Sequence, residues 1–348
     1  MAASKRTTGD AMYVYAGIDE AGYGPMYGPL TIGCAVLVLP DLASDAPPPK
    51  LWDLLSDAVC TRLRGRRGRL AINDSKKLTT KAAGIKHLEA GCLAFAGINE
   101  SPVMSDLASW LDLVGVSRHR ASDDAGDDGG LSALPWYACD SDRPWDALPH
   151  SNTQDEIAIA RSMLSATCKK AGVQLSAMRC EVLFEDMFNR MVEATRSKAS
   201  VSFTSVARHL LAIFNQHGAH QPHVAVDRQS GRMRYREILA QVFEGARIDV
   251  LGETPIKSAY HITLGANSMT VTFQIQAEES HMPVALASMV AKYTRELLMH
   301  RFNSYFAQIA PEVKPTAGYG TDANRWRDAM LPILDAARID HARLRRRA

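Results

Sequence analysis

Three segments of this sequence carry carboxylates where a strand-like run stops. Asp19 and Glu20 close MYVYAGID, Asp227 closes HVAVD, and Glu278 with Glu279 follows SMTVTFQIQA. Carboxylates at strand ends project from one rim of a sheet, the rim at which α/β proteins gather their sites. Acids crowded there repel one another, and the pKa of some members rises unless a cation neutralises them. Hard oxygen donors of this kind suit Mg²⁺ or Mn²⁺. Two such ions ~3.5–4 Å apart would clamp the attacking and leaving oxygens of a phosphodiester.

A Gly-rich turn, AGYGPMYGP, follows the first acids directly. Glycines after a strand suggest a dinucleotide-binding loop, but that loop must open a helix whose N-terminus holds the pyrophosphate. Here Pro25 and Pro29 interrupt the turn and a second strand-like run follows. Asp19 and Glu20 would also repel a phosphate unless metal intervened. Glycines beside metal-binding acids have another use, which is to let a nucleic-acid backbone come close.

Five blocks now stand in order: YAGIDEAGYGPMYGP at 15–29, NDSKKL at 73–78, HVAVDRQ at 223–229, QAEESHMPVALASMVAKYTREL at 276–297 and AGYGTDANRW at 317–326. Together they resemble the type 2 ribonucleases H, the ribonuclease HII and HIII group. The resemblance covers 13–95 and about 180–330, and 100–175 has no counterpart in it. It implies an α/β fold, a ribonuclease-H-like mixed sheet flanked by helices with a C-terminal helical part. It implies metal-dependent endonucleolytic cleavage of the RNA strand of RNA–DNA hybrids or ribonucleotide-containing duplexes, with two Mg²⁺ or Mn²⁺ ions, leaving 5′-phosphate and 3′-hydroxyl ends. Asp19, Glu20, Asp227 and Glu278 match the four metal-binding catalytic acids. Glu279 is the rival for the fourth place, and the spacing to Ser288 and Lys292 favours Glu278. Glu at that place, and the turn ending Tyr27-Gly28-Pro29, are more like the HIII type. No HIII-type substrate-binding domain precedes Asp19, so the sequence sits between the two subfamilies.

The same resemblance assigns substrate contacts. Lys76 and Lys77 match a block in which a Lys lies near the scissile phosphate. Ser288 and Lys292 share a helix face at i, i+4. Tyr319 matches a tyrosine that packs on the sugar at the RNA–DNA junction. Gly22, Tyr23 and Gly24 stand where ribonuclease HII has Gly-Arg-Gly, a turn that senses the ribose 2′-OH. Two other readings stand beside the hybrid nuclease. One is a catalytically silent member that binds nucleic acid or a protein. The other is a nuclease of the same fold acting on DNA.

The elements that must position these residues are legible in outline. Residues 12–19 and 31–39 read as a β-hairpin with an elaborate turn. Residues 51–65 read as a helix with Leu51, Leu54, Leu55 and Val59 on one face, and 72–95 as a helix capped by Ser75 or Thr79. Residues 152–172 and 184–215 read as helices, and 223–227, ARIDVL and SMTVTFQIQAE as strands. Residues 284–302 form the clearest helix, with Leu286, Met289, Val290, Tyr293 and Leu297 at the 3.6 period. The polar residues 1–11 are expected to fray. Residues 100–175, with the acidic ASDDAGDDGG at 121–130 and with Trp110, Trp136 and Trp145, read as an insertion into a catalytic domain made of 12–99 and 176–348. That acidic stretch is expected to lie away from a phosphate backbone.

Composition sets the outer bounds. The chain has 348 residues, 46% hydrophobic and 22% charged, which excludes a disordered chain, a collagen-like fibre and a disulfide-stapled miniprotein. Lys plus Arg number 40 and Asp plus Glu 38, so any nucleic-acid surface must come from local patches. Three candidates are Arg62, Arg64, Arg66, Arg67 and Arg69; Arg228, Arg232, Arg234 and Arg236; and Arg343, Arg345, Arg346 and Arg347. The six cysteines form no C-x-x-C pair, which argues against a zinc ribbon and for free thiols. No apolar run approaches the ~20 residues of a membrane span, and no signal peptide is visible. A cytoplasmic protein is expected.

Overall fold

The computed structural model describes residues 12–99, 104–116, 134–138, 146–228 and 231–347. The polar residues 1–11, the acidic stretch 121–130 and Trp145 lie outside the described residues. Among the described residues the strands are β1 (Tyr13–Ala21), β2 (Leu30–Leu39), β3 (Val59–Cys60), β4 (Leu70–Ala71), β5 (Gln174–Leu183), β6 (His223–Asp227), β7 (Arg247–Glu253), β8 (Lys257–Leu264) and β9 (Asn267–Gln274). The α-helices are α1 (Leu51–Leu54), α2 (Ser75–Leu78), α3 (Lys86–Ala96), α4 (Leu107–Leu113), α5 (Gln154–Ala171), α6 (Glu185–Thr195), α7 (Lys198–His217), α8 (Arg236–Val242), α9 (Met282–Ile309) and α10 (Gly320–Ala336).

Seven strands form one mixed sheet in the order β5-β2-β1-β6-β9-β8-β7. β2 is a ten-residue apolar run with every residue buried, as a strand covered on both faces must be. β1 lies beside it, antiparallel, from Tyr13 opposite Leu39 to Ala21 opposite Thr31. On its other side β1 runs parallel to β6, and β6 parallel to β9. β1 sends alternate residues to two cores. Tyr13 and Tyr15 join one core with α3, α4, α5, α9 and α10. Val14, Ala16 and Ile18 join the other with α6, α7 and α8. This is the expected mixed sheet flanked by helices, with a C-terminal helical part.

α9 is the central helix. It extends the expected 284–302 to Met282–Ile309, and its buried residues occur on all sides of its first five turns. Such a helix belongs inside a fold rather than on its surface. Its backbone reaches the sheet at two glycines. A Cβ on Gly17 would stand 2.1 Å from Pro283 C, and one on Gly33 would stand 2.1 Å from Ala287 O. Two of the tryptophans that the sequence offered from 100–150, Trp110 and Trp136, pack here too. Trp110 is fully buried and its indole N–H donates to Thr294 Oγ1 at 3.0 Å; Trp136 packs against Phe306.

Several elements differ from expectation. The helix at 51–65 stops at Leu54, and Val59–Cys60 pairs instead with Leu70–Ala71. Gly65, Arg67 and Gly68 adopt positive φ, which no helix continues. Leu51, Leu55 and Val59 are buried as expected, but Leu54 is 44% exposed. The helix at 72–95 is two, α2 and α3. Neither Ser75 nor Thr79 caps α2; Asp74 does, its carboxylate accepting from Lys76 N at 2.9 Å. The helix at 184–215 breaks at Arg196, whose φ is 52°, and Ser197 caps the second piece, α7. Strands β5 and β8 had no expectation. All five described cysteines are free thiols. Among the described residues no helix is long and apolar enough to cross a membrane.

Candidate active site

The acids gather at one rim of the sheet. Asp19 lies one residue beyond Ile18, which pairs with Val226 across the parallel β1–β6 ladder. Asp227 follows Val226 and ends β6, so the two carboxylates lie level on neighbouring parallel strands. β1 runs two residues further than expected, which places Asp19 and Glu20 inside the ladder opposite Gly33 and Ile32. Glu278 is not at a strand end. β9 stops at Gln274, Gln276 takes a left-handed φ of 53°, and Ala277–Glu279 form one 3-10 turn. That turn is tied to the rim by Ala277 N, which donates to Asp227 Oδ1 at 3.1 Å.

The electrostatics show how tightly the acids are held. Asp19 is nine-tenths buried. Burial, then the charges of Asp227 and Glu20, push its pKa well above the usual carboxylate range. The Ser288 hydroxyl and Glu20 N–H pull the other way, the latter donating at 2.7 Å. Burial raises Asp227 and Glu278 as well, and the contact between the two carboxyls lowers the first and raises the second. Asp227 and then Asp74 add to the upward pressure on Glu278. Carboxyls whose pKa is raised by burial and by neighbouring charges are what a bound cation would relieve. The donor chemistry therefore fits a hard divalent ion. Even so, among the described residues no three His, Cys, Asp or Glu side chains already stand as a ligand set. A cation would have to draw the carboxylates closer than they stand here.

Glu279 goes elsewhere: its carboxylate is 2.6 Å from Lys77 Nζ, with both side chains about half exposed. Of the two glutamates, Glu278 is the one that feels Asp227. Lys76 lies within the field of Asp227 and lowers it. Ser288 is buried, 3.0 Å from the Ser75 hydroxyl, and so ties α9 to α2 beside Asp19. Lys292 is not directed at the acids; it pairs with Glu296 one turn along α9, at 2.6 Å.

The remaining blocks meet around the Gly-rich turn. Gly22 has φ 85°, and a Cβ there would stand 2.5 Å from Arg295 Nε. Gly24 is exposed, and Tyr23 packs in part against the second core. Met26 N donates to Gly318 O at 2.8 Å, which joins the first block to the last. Tyr319 is 42% exposed, and the Arg295 guanidinium lies 5.1 Å from its ring centre. Arg295 is itself buried and donates to Tyr27 O at 3.1 Å and Ala317 O at 3.2 Å. Glu185 supports the turn from the other side, accepting from Gly28 N at 2.9 Å and from the Tyr137 hydroxyl at 2.8 Å.

Asp74, Arg295 and Glu185 escaped the sequence reading. A helix-capping Asp beside Ser-Lys-Lys was a signal for the first; the other two owe their place to tertiary contacts alone. The basic clusters divide. Arg228 is spent on Thr254 O and Ser258 Oγ, and Arg232 lies over the Phe203 and Tyr235 rings. Arg343 and Arg347 pair with Asp186 and Glu193 at 3.4 Å each. Arg62, Arg64 and Arg67 are exposed.

No family model matches the chain, and no curated protein does. Among solved structures it is similar to ribonuclease HII of Archaeoglobus fulgidus, solved in complex with PCNA, at 15% identity and a TM-score of 0.39 over 96% of this chain and 94% of that one. It is similar to ribonuclease H2 of Pyrococcus horikoshii at 16% identity and 0.42 over 96% and 92%. It is also similar to Bst ribonuclease HIII, solved with Mn²⁺, at 12% and 0.40 over 96% and 66%. The likeness to archaeal ribonuclease HII and bacterial ribonuclease HIII is one of overall arrangement and spans most of the chain.

Proposed function

We propose that this chain is a metal-dependent endonuclease that cleaves the RNA strand of RNA–DNA hybrids by two-metal-ion hydrolysis. The observation that carries the reading is the meeting of Asp19, Asp227 and Glu278 at one rim, with their pKa values raised by burial and by the charges of neighbouring carboxylates. Asp19, Glu20, Asp227 and Glu278 would hold Mg²⁺ or Mn²⁺. Such ions supply Lewis-acid stabilisation of the phosphodiester and an activated water. Ser288 orients Asp19, and Lys76 offers a cation to the phosphate beside Asp227. Lys77 belongs to the same block but is shared with Glu279. Lys292 reaches a phosphate only by leaving Glu296. Gly22 and Gly24 allow close approach of the backbone whose 2′-hydroxyls line a wide minor groove, and Tyr319 offers an exposed ring to a sugar. Tyr23 brings one hydroxyl and no charge where an Arg would bring several donors. Hybrid cleavage should therefore survive, with weak preference for a single embedded ribonucleotide.

A second reading has its own support. No three described acids stand as a ligand set, which also suits a chain that binds nucleic acid without cutting it. One experiment separates these readings. RNA–DNA hybrid, single-ribonucleotide duplex, duplex DNA and branched DNA are incubated with and without Mg²⁺ or Mn²⁺. The nuclease reading expects metal-dependent cuts in the RNA strand, with 5′-phosphate and 3′-hydroxyl ends. Binding of hybrid with no cutting under either metal would select the silent reading, and equal cutting of DNA would overturn the hybrid specificity.

A further inference from the structure

The segment after α10 folds back onto the Gly-rich turn. Arg345 forms an antiparallel bridge with Tyr27, and Arg346 N donates to Met26 O at 2.8 Å. The Arg346 side chain is only 2% exposed. Its Nη2 donates to Gly22 O and to Pro25 O, both at 2.6 Å. Its guanidinium carbon lies 4.9 Å from the centre of the Phe188 ring. Asn189 moors the segment from α6: its Nδ2 donates to Arg345 O at 2.8 Å, and its Oδ1 accepts from Arg347 N at 2.6 Å. A buried Arg in a basic run is the exception, since such runs are ordinarily solvated.

The geometry has a specific effect. Gly22 and Pro25 flank Tyr23-Gly24, and one nitrogen holds the carbonyls on both sides of that pair. Buried carbonyls need a donor, and sharing one fixes the distance between residues 22 and 25. The pair between them is then confined to one arc. On its outer side Gly24 is open, with no atom within 4 Å of where a Cβ would stand. Burial, then the charge of Arg295, lowers the Arg346 pKa to about 10, so the clamp stays charged at neutral pH.

We propose that Arg346 is a positioning residue: it holds the Tyr23-Gly24 arc in the shape that meets the nucleic-acid backbone, an inference that rests on the nuclease reading. The test uses the full chain with Arg346→Met, which keeps the packing over Phe188 but loses both bonds, and Arg346→Lys, which restores one charged donor. Asn189→Ala loosens the segment without touching the guanidinium and carries the test if Arg346→Met does not fold. Hydrogen exchange is read at the amides of 22–28, and kcat and KM are measured on a hybrid at saturating Mn²⁺. Losing two bonds to a charged donor should speed exchange in 22–28 roughly tenfold or more, with α9 unchanged. KM should rise roughly tenfold while kcat stays within about threefold. Arg346→Lys should recover part of both, and Asn189→Ala should shift both in the same direction. Unchanged exchange at 22–28 would overturn the proposal, and so would an unchanged KM with only a lower melting temperature. If the wild type cuts no hybrid, the nuclease reading falls, and the exchange difference still decides whether the clamp exists.

Discussion

Glu185 offers a quantitative check on the support beneath the Gly-rich turn. Its carboxyl is fully buried, bonded to Gly28 N and the Tyr137 hydroxyl, and burial pushes its pKa up to about 7. In the unfolded chain it titrates near ~4.3–4.5. Below that pH the group is protonated in both states and costs the fold nothing. As pH rises from about 4.5 through about 7, the unfolded state releases its proton first, and stability falls. The gap of about 2.5 is worth ~3 kcal/mol by pH 8 at ~1.36 kcal/mol for each pKa unit, to order of magnitude. Glu185→Gln keeps an oxygen to accept both bonds and removes the charge. Other buried acids titrate identically in both proteins and cancel. Urea unfolding at pH 5 and pH 8 should show the variant gaining on the wild type by ~2–3 kcal/mol between the two. A difference constant to within ~0.5 kcal/mol would refute the argument and mean that Arg346 neutralises Glu185 in place.

Three further outcomes are expected. Asp19→Asn should fold, melt higher at neutral pH without metal, and lose metal-dependent cleavage by more than the roughly 10–100-fold that removing a metal ligand's supporting partner costs; near-normal turnover in the folded variant would sink the two-metal assignment. Glu278→Gln should abolish most cleavage, whereas Glu279→Gln, which breaks an exposed pair with Lys77, should change stability by no more than ~1 kcal/mol and cleavage little; the reverse order in the same assay would reassign the fourth acid. Gly17→Ala drives a Cβ into Pro283 backbone and should cost ~3 kcal/mol or more, read by chemical denaturation, because backbone cannot step aside as a side chain can.

Much of this arrangement could be read from the residues. The runs at 12–19 and 31–39, the short run ending at Asp227 and the periodicity of 284–302 each gave an element in the right place, because burial on a strand or helix leaves a repeating mark. What escaped was set by distant contacts. β5 and β8 carry polar residues at partly covered positions, and only the neighbouring strands make them strands. The 51–65 region has helical spacing, yet Gly65 and Gly68 turn it back to pair Val59 with Leu70. The sequence could nominate Asp19, Glu20, Asp227 and Glu278 as candidates through their place after strand-like runs and their resemblance to the family's blocks. That Glu278 rides a 3-10 turn was not legible, since it depends on a left-handed Gln276. Arg346 was misplaced on principle: a run of four arginines in five residues looks solvated, and one of them is a core residue.

The two glycine contacts beneath α9 bear on how the site can adapt. Gly17 and Gly33 lie on adjacent strands, and they receive Pro283 and Ala287, one helical turn apart. Helix meets sheet there backbone to backbone, with no side chain between them to take up slack. Asp19, paired with Gly33, and Ser288, next to Ala287, thus belong to a stiff half of the site. Glu278 belongs to the other half, on a single turn held to the rim by the Ala277–Asp227 bond. Ala277 in that turn is itself fully buried against Ala225 of β6 and Val284 of α9, so both halves of the site are braced on the same helix, one through backbone contact and the other through packed apolar side chains.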